Sequence, residues 1–221
     1  MHPGASFLLW NVIRRLGMAW QTPWVDLTLQ RMRAWGLNTV GNWSARELCD
    51  AQKVPFTVPL NGWETRQSYF GLPDVFSEEF VRNCDAAAER QCAKHKNDRY
   101  LLGYFIGNEP PWPSRENFVV EMILSGPETA TQRELKQFLS KGDSAERRKA
   151  FVYRAYQKYL EVVNGAIRKH DPNHLNLGIR FGGEVIPGPM LEASRSFDVF
   201  SINIYEYVRN FAASVRTPTE S

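Results

Sequence analysis

The run at 100–112, Tyr-Leu-Leu-Gly-Tyr-Phe-Ile-Gly-Asn-Glu-Pro-Pro-Trp, joins an apolar segment to a double proline and so dictates where a buried strand must stop. Six of its first seven residues are apolar or aromatic, the composition of a strand covered on both faces. Proline has no N–H for a ladder, and the residue before it is pushed toward extended backbone. Pro110 is therefore expected to keep Glu109 extended, and the strand to end at Asn108-Glu109 with two polar side chains on its C-terminal edge. Such a strand needs helices above and below it.

The rest of the chain offers them. Val25, Leu29, Met32 and Trp35 recur at helical spacing after Pro23, and Gly36 closes that helix. Further helices are expected at 44–52, from a Ser77 cap to about residue 96, and over 145–169. Phe7–Trp10 reads as part of an inserted helix rather than a first strand. Strands are expected at 37–43, 54–60, 175–181 and 197–205, with 114–144 an irregular helical insertion. Strands alternating with helices imply a parallel sheet with right-handed crossovers. No glycine-rich phosphate loop follows the first strand, which favours a barrel over a doubly wound nucleotide fold. Period-two alternation puts Thr57, Pro59 and Asn61, then Asn176, Gly178 and Arg180, then Val199, Ser201, Asn203 and Tyr205 on inward faces that grow more polar toward the strand ends. The expected fold is α/β: a partial (β/α)8 TIM barrel of about five parallel strands, the second to the sixth, in one incomplete catalytic domain over 1–221.

Bulk properties narrow the function classes. A net charge of +3, with Arg14, Arg15, Arg31 and Arg33 spread along helices, gives no case for nucleic acid. No apolar segment approaches the roughly 18 residues of a membrane span. The first residues lack the basic leader and apolar length of a signal peptide, which leaves location open, a longer secreted or periplasmic protein included. Cys49, Cys84 and Cys92 give no disulfide framework or metal spacing, and no cofactor is called for. His170 and His174 flank the turn at Asp171-Pro172 and read as turn packing.

Glu109 is the residue on which function turns, because the C-terminal edge of such strands is where barrels place catalysis. Glycoside hydrolysis needs two carboxyl groups, one to protonate the leaving oxygen and one to attack or to activate water. Tyr104–Ile106 and Trp112 are expected to give Glu109 apolar surroundings and a raised pKa. Asn108 is placed to bond a sugar hydroxyl, and Arg180 and Tyr205 to tune a carboxylate. The other reading of Glu109, a salt-bridged rim residue, stays open on composition alone.

Gly-Asn-Glu-Pro-Pro-Trp at 107–112 resembles the fourth-strand acid/base motif of the clan of retaining glycoside hydrolases with (β/α)8 barrels, clan A. Three more stretches narrow the likeness: Arg-Ala-Trp-Gly-Leu-Asn-Thr-Val-Gly-Asn-Trp-Ser at 33–44, Asp-Pro-Asn-His-Leu-Asn-Leu-Gly-Ile-Arg-Phe at 171–181 and Phe-Asp-Val-Phe-Ser-Ile-Asn-Ile-Tyr at 197–205. Together they resemble the β-agarase-like glycoside hydrolases of bacteria. The resemblance implies hydrolysis of a β-linked, agarose-like galactan, with Glu109 as general acid/base, Asn108 as its sugar-contacting neighbour and Tyr205 as the sixth-strand tyrosine that contacts the nucleophile. It makes Asn42, Trp43, Asn61, Trp112, Arg180 and Asn203 candidate sugar ligands, although Trp43 also suits a core and Asn42 a helix cap near Ala45. In such enzymes the nucleophile is a glutamate ending the seventh strand, and this chain has no match for it. Glu184 and Glu206 are the nearest substitutes and neither fits. The chain is thus expected to be an inactive fragment completed by the rest of its barrel, or else a non-catalytic carbohydrate-binding barrel.

Overall fold

The computed structural model describes residues 6–182 and 185–205. In chain order these form α1 (Phe7–Leu16), α2 (Gln21–Ala34), α3 (Arg46–Asp50), β1 (Phe56–Pro59), β2 (Ser68–Tyr69), β3 (Leu72–Pro73), α4 (Glu78–Cys92), β4 (Leu101–Asn108), α5 (Glu116–Ser125), α6 (Ala130–Leu139), α7 (Ala145–His170), β5 (Leu175–Phe181), α8 (Gly188–Ala193) and β6 (Ser201–Ile202). The main sheet has four parallel strands in the order β1-β4-β5-β6, and β2 and β3 pair antiparallel apart from it. The protein is α/β, with helices between parallel strands.

The chain divides into two compact units, residues up to 58 with 98–102, and 59–97 with 103 onward. Strands β1 and β4 run from one into the other. Phe56 N donates to Tyr100 O at 2.9 Å within the first unit, and Leu60 N to Phe105 O at 2.8 Å within the second.

The first unit holds α1 to α3. The strand expected at 37–43 is there a single bridge, Val40 to Phe56. Trp43 takes a left-handed φ of 61° and turns the chain out of extension at once. Phe7–Leu16 is a helix, as expected.

In the second unit the long helix α7 carries the core. Phe151, Val152, Tyr156, Tyr159, Leu160 and Val163 are buried along one stripe, and the Phe80 ring of α4 stacks on Tyr159 at 5.7 Å between centroids. Ser77 Oγ accepts from Phe80 N at 3.1 Å, the expected cap. Burial pushes the Cys84 and Cys92 thiols up to about 12, so both are inert core groups. The segment 114–144 is more regular than expected, with two ten-residue helices. Thr129 caps α6, and the buried amide of Gln132 donates to the carbonyls of Ile123 and Gly126 at 2.8 and 2.9 Å, closing the end of α5. Thr129 and Gln132 stand at capping-box spacing, the signal that marks this helix in the sequence.

Two irregularities set the site. In β5, Gly178 (φ 70°) carries a bulge against β4, and a Cβ there would stand 2.4 Å from the Phe197 ring. The extra residue reverses the strand's phase. Asn176 therefore does not face inward as alternation required; its Nδ2 donates to Asn164 Oδ1 of α7 at 2.8 Å, whereas Arg180 remains on the other side, over the Phe105 ring. The expected strand 197–205 shrinks to Ser201–Ile202. Asp198 Oδ2 takes the Asn176 N–H at 2.7 Å, and Asp198 N and Val199 N both turn to Asn176 O, so a side chain and a shared carbonyl stand in for the ladder.

Candidate active site

Tyr104 and Ile106 of β4 are buried against the helices, where Tyr159 Oη donates to Ile106 O at 3.2 Å. Past them the strand runs out to exposed Asn108 and Glu109. Pairing continues one residue beyond β4, with Glu109 N donating to Arg180 O at 2.7 Å. Glu109 is not extended, contrary to expectation, but left-handed at φ 46°. Its amide is tied to β5 while Pro110 leads away, and a residue so held in an unfavourable region marks a site over-determined by its surroundings.

Arg180, Asn203 and Tyr205 meet Glu109 at the same end of the sheet. Asn203 N donates to Phe181 O at 2.7 Å, which anchors the segment after β6 beside β5. The Asn203 side chain is 9% exposed, and its Nδ2 donates to Glu109 Oε1 at 2.7 Å, reaching Asn108 Oδ1 at 3.3 Å and the Tyr205 hydroxyl at 3.4 Å. The Tyr205 hydroxyl also donates to Glu109 Oε1. Both donors thus land on one carboxylate oxygen.

The electrostatics reverse the expected shift. The Tyr205 hydroxyl, then the Asn203 amide, then the charge of Arg180 hold the Glu109 carboxyl below the usual glutamate range. In return the carboxylate pushes the Tyr205 phenol up. Trp112 does not supply the apolar wall that was to raise Glu109, because it turns inward. Trp112 is only 3% exposed, its ring 5.2 Å from that of Tyr156, so it is a core residue and not a rim ligand.

Of the other expected ligands, Asn61 is exposed just past Leu60, the residue that pairs with Phe105. Asn42 and Trp43 belong to the first unit. There Asn42 Oδ1 accepts from Thr57 Oγ1 at 2.7 Å instead of capping a helix, and Trp43 is 67% exposed rather than core. Glu184 and Glu206 lie outside the described residues. Among the described residues no group of three or more His, Cys, Asp or Glu side chains could hold a metal ion.

A carboxylate held at the C-terminal end of a parallel strand by an asparagine and a tyrosine, with an arginine nearby, can exchange a proton with a group brought against it. The chain matches no family model. It is homologous to β-agarases. β-Agarase A of Vibrio sp. (strain JT0107) is 29% identical over a 263-residue alignment that covers 91% of this chain, and β-agarase B of the same strain is 28% identical over 254, covering 90%. The chain spans only about a quarter of these relatives, 26% of each. The crystal structure of the agarase AgWH50C is 27% identical and superposes with a TM-score of 0.75 over 89% of this chain and 34% of its own.

Proposed function

We propose that this chain carries the acid–base side of a retaining glycoside hydrolase that cleaves a β-linked, agarose-like galactan, on part of a (β/α)8 barrel. The observation that carries the reading is the convergence of Asn203, Tyr205 and Arg180 on Glu109, one residue past a strand that the bulk of the sheet buries. The homology to β-agarases supplies the substrate class. Glu109 protonates the leaving oxygen in the first step and takes the proton of the incoming water in the second. Asn108 bonds the sugar beside the scissile bond.

The low pKa suits the second step, in which a charged base is needed. For the first, Glu109 must hold a proton, and a nearby like charge is what raises a carboxyl pKa. None of the described hydrogen-bond or charge partners of Glu109 is a carboxylate. The reading takes the nucleophile, about 5 Å away in retaining enzymes, from a part of the barrel outside these 221 residues.

The test uses the natural polypeptide that contains these residues. Glu109→Ala should slow hydrolysis of agaro-oligosaccharides by roughly 100- to 10,000-fold, slow an aryl glycoside with a good leaving group less, and regain rate with azide while giving a glycosyl azide of retained configuration. Unchanged agarolysis in that variant would sink the assignment. Saccharide binding without turnover in the unaltered protein would instead favour a carbohydrate-binding barrel.

A further inference from the structure

The second unit holds an open cleft of about 600 Å3 between the start of α5 and the first turns of α7, lined by Arg115, Glu116, Asn117, Phe118, Lys149 and Tyr153. Its floor is Glu116, 4% exposed, whose Oε1 accepts from Ser114 N at 3.0 Å and from the Tyr153 hydroxyl at 3.5 Å. Among the described residues both hydrogen bonds to this carboxylate fall on Oε1, and Glu116 lines the cleft. Arg115 lies over the Phe70 ring, and among the described residues neither it nor Lys149 forms an ion pair. Phe118 is half exposed, held edge-on by Phe70 at 5.2 Å, and offers an apolar plate.

An acceptor on the floor, donors on the walls and a flat apolar side match a polyhydroxylated ring. The carboxylate accepts from hydroxyls, the cations donate to hydroxyl and ring oxygens, and the carbon face of the ring lies on Phe118. The fixed negative charge of Glu116 disfavours a sulfated or carboxylated ring at the floor. A shallower cleft of about 420 Å3 shares Asn117 and runs on past Glu121 and Arg148, which suits a chain of rings over a single one. Ser114 follows Glu109 by five residues, at most about 18 Å of extended backbone. Its hydroxyl donates to Val185 O at 3.3 Å and holds the loop in place.

We propose that this cleft is a second sugar-binding subsite, which holds an uncharged ring of the same galactan chain whose glycosidic bond lies at Glu109. The inference rests on the reading of Glu109 given above. Calorimetry on the natural polypeptide that contains these residues, bearing Glu109→Gln, with neutral agaro-oligosaccharides of increasing length, tests it. Affinity should rise about tenfold, about 1.4 kcal/mol by RT ln K, once the oligosaccharide is long enough to reach both places. Glu116 also satisfies the Ser114 N–H, so the surface residues carry the test: Lys149→Ala with Asn117→Ala should abolish that rise and leave the short oligosaccharide unaffected. Length-independent affinity, or a rise that survives the double variant, overturns the subsite and leaves Glu109 standing. Failure of every length to bind overturns both. Equal or tighter binding of a sulfated oligosaccharide of the same length overturns the choice of an uncharged ring.

Discussion

Glu109 combines a left-handed backbone with two donors on one oxygen, and each has a measurable consequence. Because the Tyr205 hydroxyl is the largest single cause of the downward shift, Tyr205→Phe should move the Glu109 titration upward, read by carboxyl carbon NMR on the isolated chain. Asn203→Ala should do the same more weakly. A titration that stays put in both variants would contradict the hydrogen-bond geometry. Gly178 is another residue with little freedom. Alanine there would be strained at φ 70° and would collide with Phe197, so Gly178→Ala should lose about 2–4 kcal/mol in urea unfolding. The chain's own text disclosed Glu109, Asn108, Arg180, Asn203 and Tyr205, because prolines mark a strand end and period two marks a face. It hid the inward turn of Trp112 and the low pKa of Glu109. Both depend on partners that are distant along the chain, Tyr156 for one and Tyr205 for the other.

Among elements, β4 and β5 meet more closely than their sequences announce. A Cβ on Gly103 would stand 2.3 Å from Leu175 O, so backbone replaces side chain at that crossing. At the same end Asp171, which terminates α7, is fully buried and receives the Tyr104 hydroxyl at 2.6 Å, the Asn173 N–H at 3.0 Å and His174 Nδ1 at 2.7 Å. Burial by itself would push this carboxyl up, but the three partners together hold it below the ordinary aspartate range. A depressed carboxyl contributes stability that is complete above its unfolded pKa, about 3.9, and lost as pH falls through the folded value. Acid unfolding should therefore steepen below about pH 4, and Asp171→Asn should flatten that slope while lowering stability at neutral pH. An identical slope in the variant would remove Asp171 from the account. Long periodic helices such as α7 were readable from their stripe, and the cap at Ser77 from its residue type. The bulge at Gly178 was not, since a glycine in a strand pattern also fits an ordinary pairing position. Neither was the shortening of the strands expected at 37–43 and 197–205, where Trp43 and Asp198 break the ladder through contacts that carry no period.

On the scale of the whole chain, β6 has β5 as its one partner among the described residues, and Val199, Phe200, Ile202 and Ile204 keep much of their surface in water. An open parallel edge beside an apolar stripe favours pairing with another chain. The isolated polypeptide should therefore self-associate as concentration rises in sedimentation velocity, and Ile202→Lys should suppress it; a monodisperse monomer at high concentration would contradict the expectation. The α/β class and parallel sheet were legible in the alternation of elements, while the division into two units was not, because it falls inside two strands and leaves no linker composition behind. The crowding of both donors on Glu109 Oε1 has a stereochemical corollary. On the reading proposed above, Oε2 is the oxygen left to exchange a proton, so the group would be handed and would serve a bond presented from one side only.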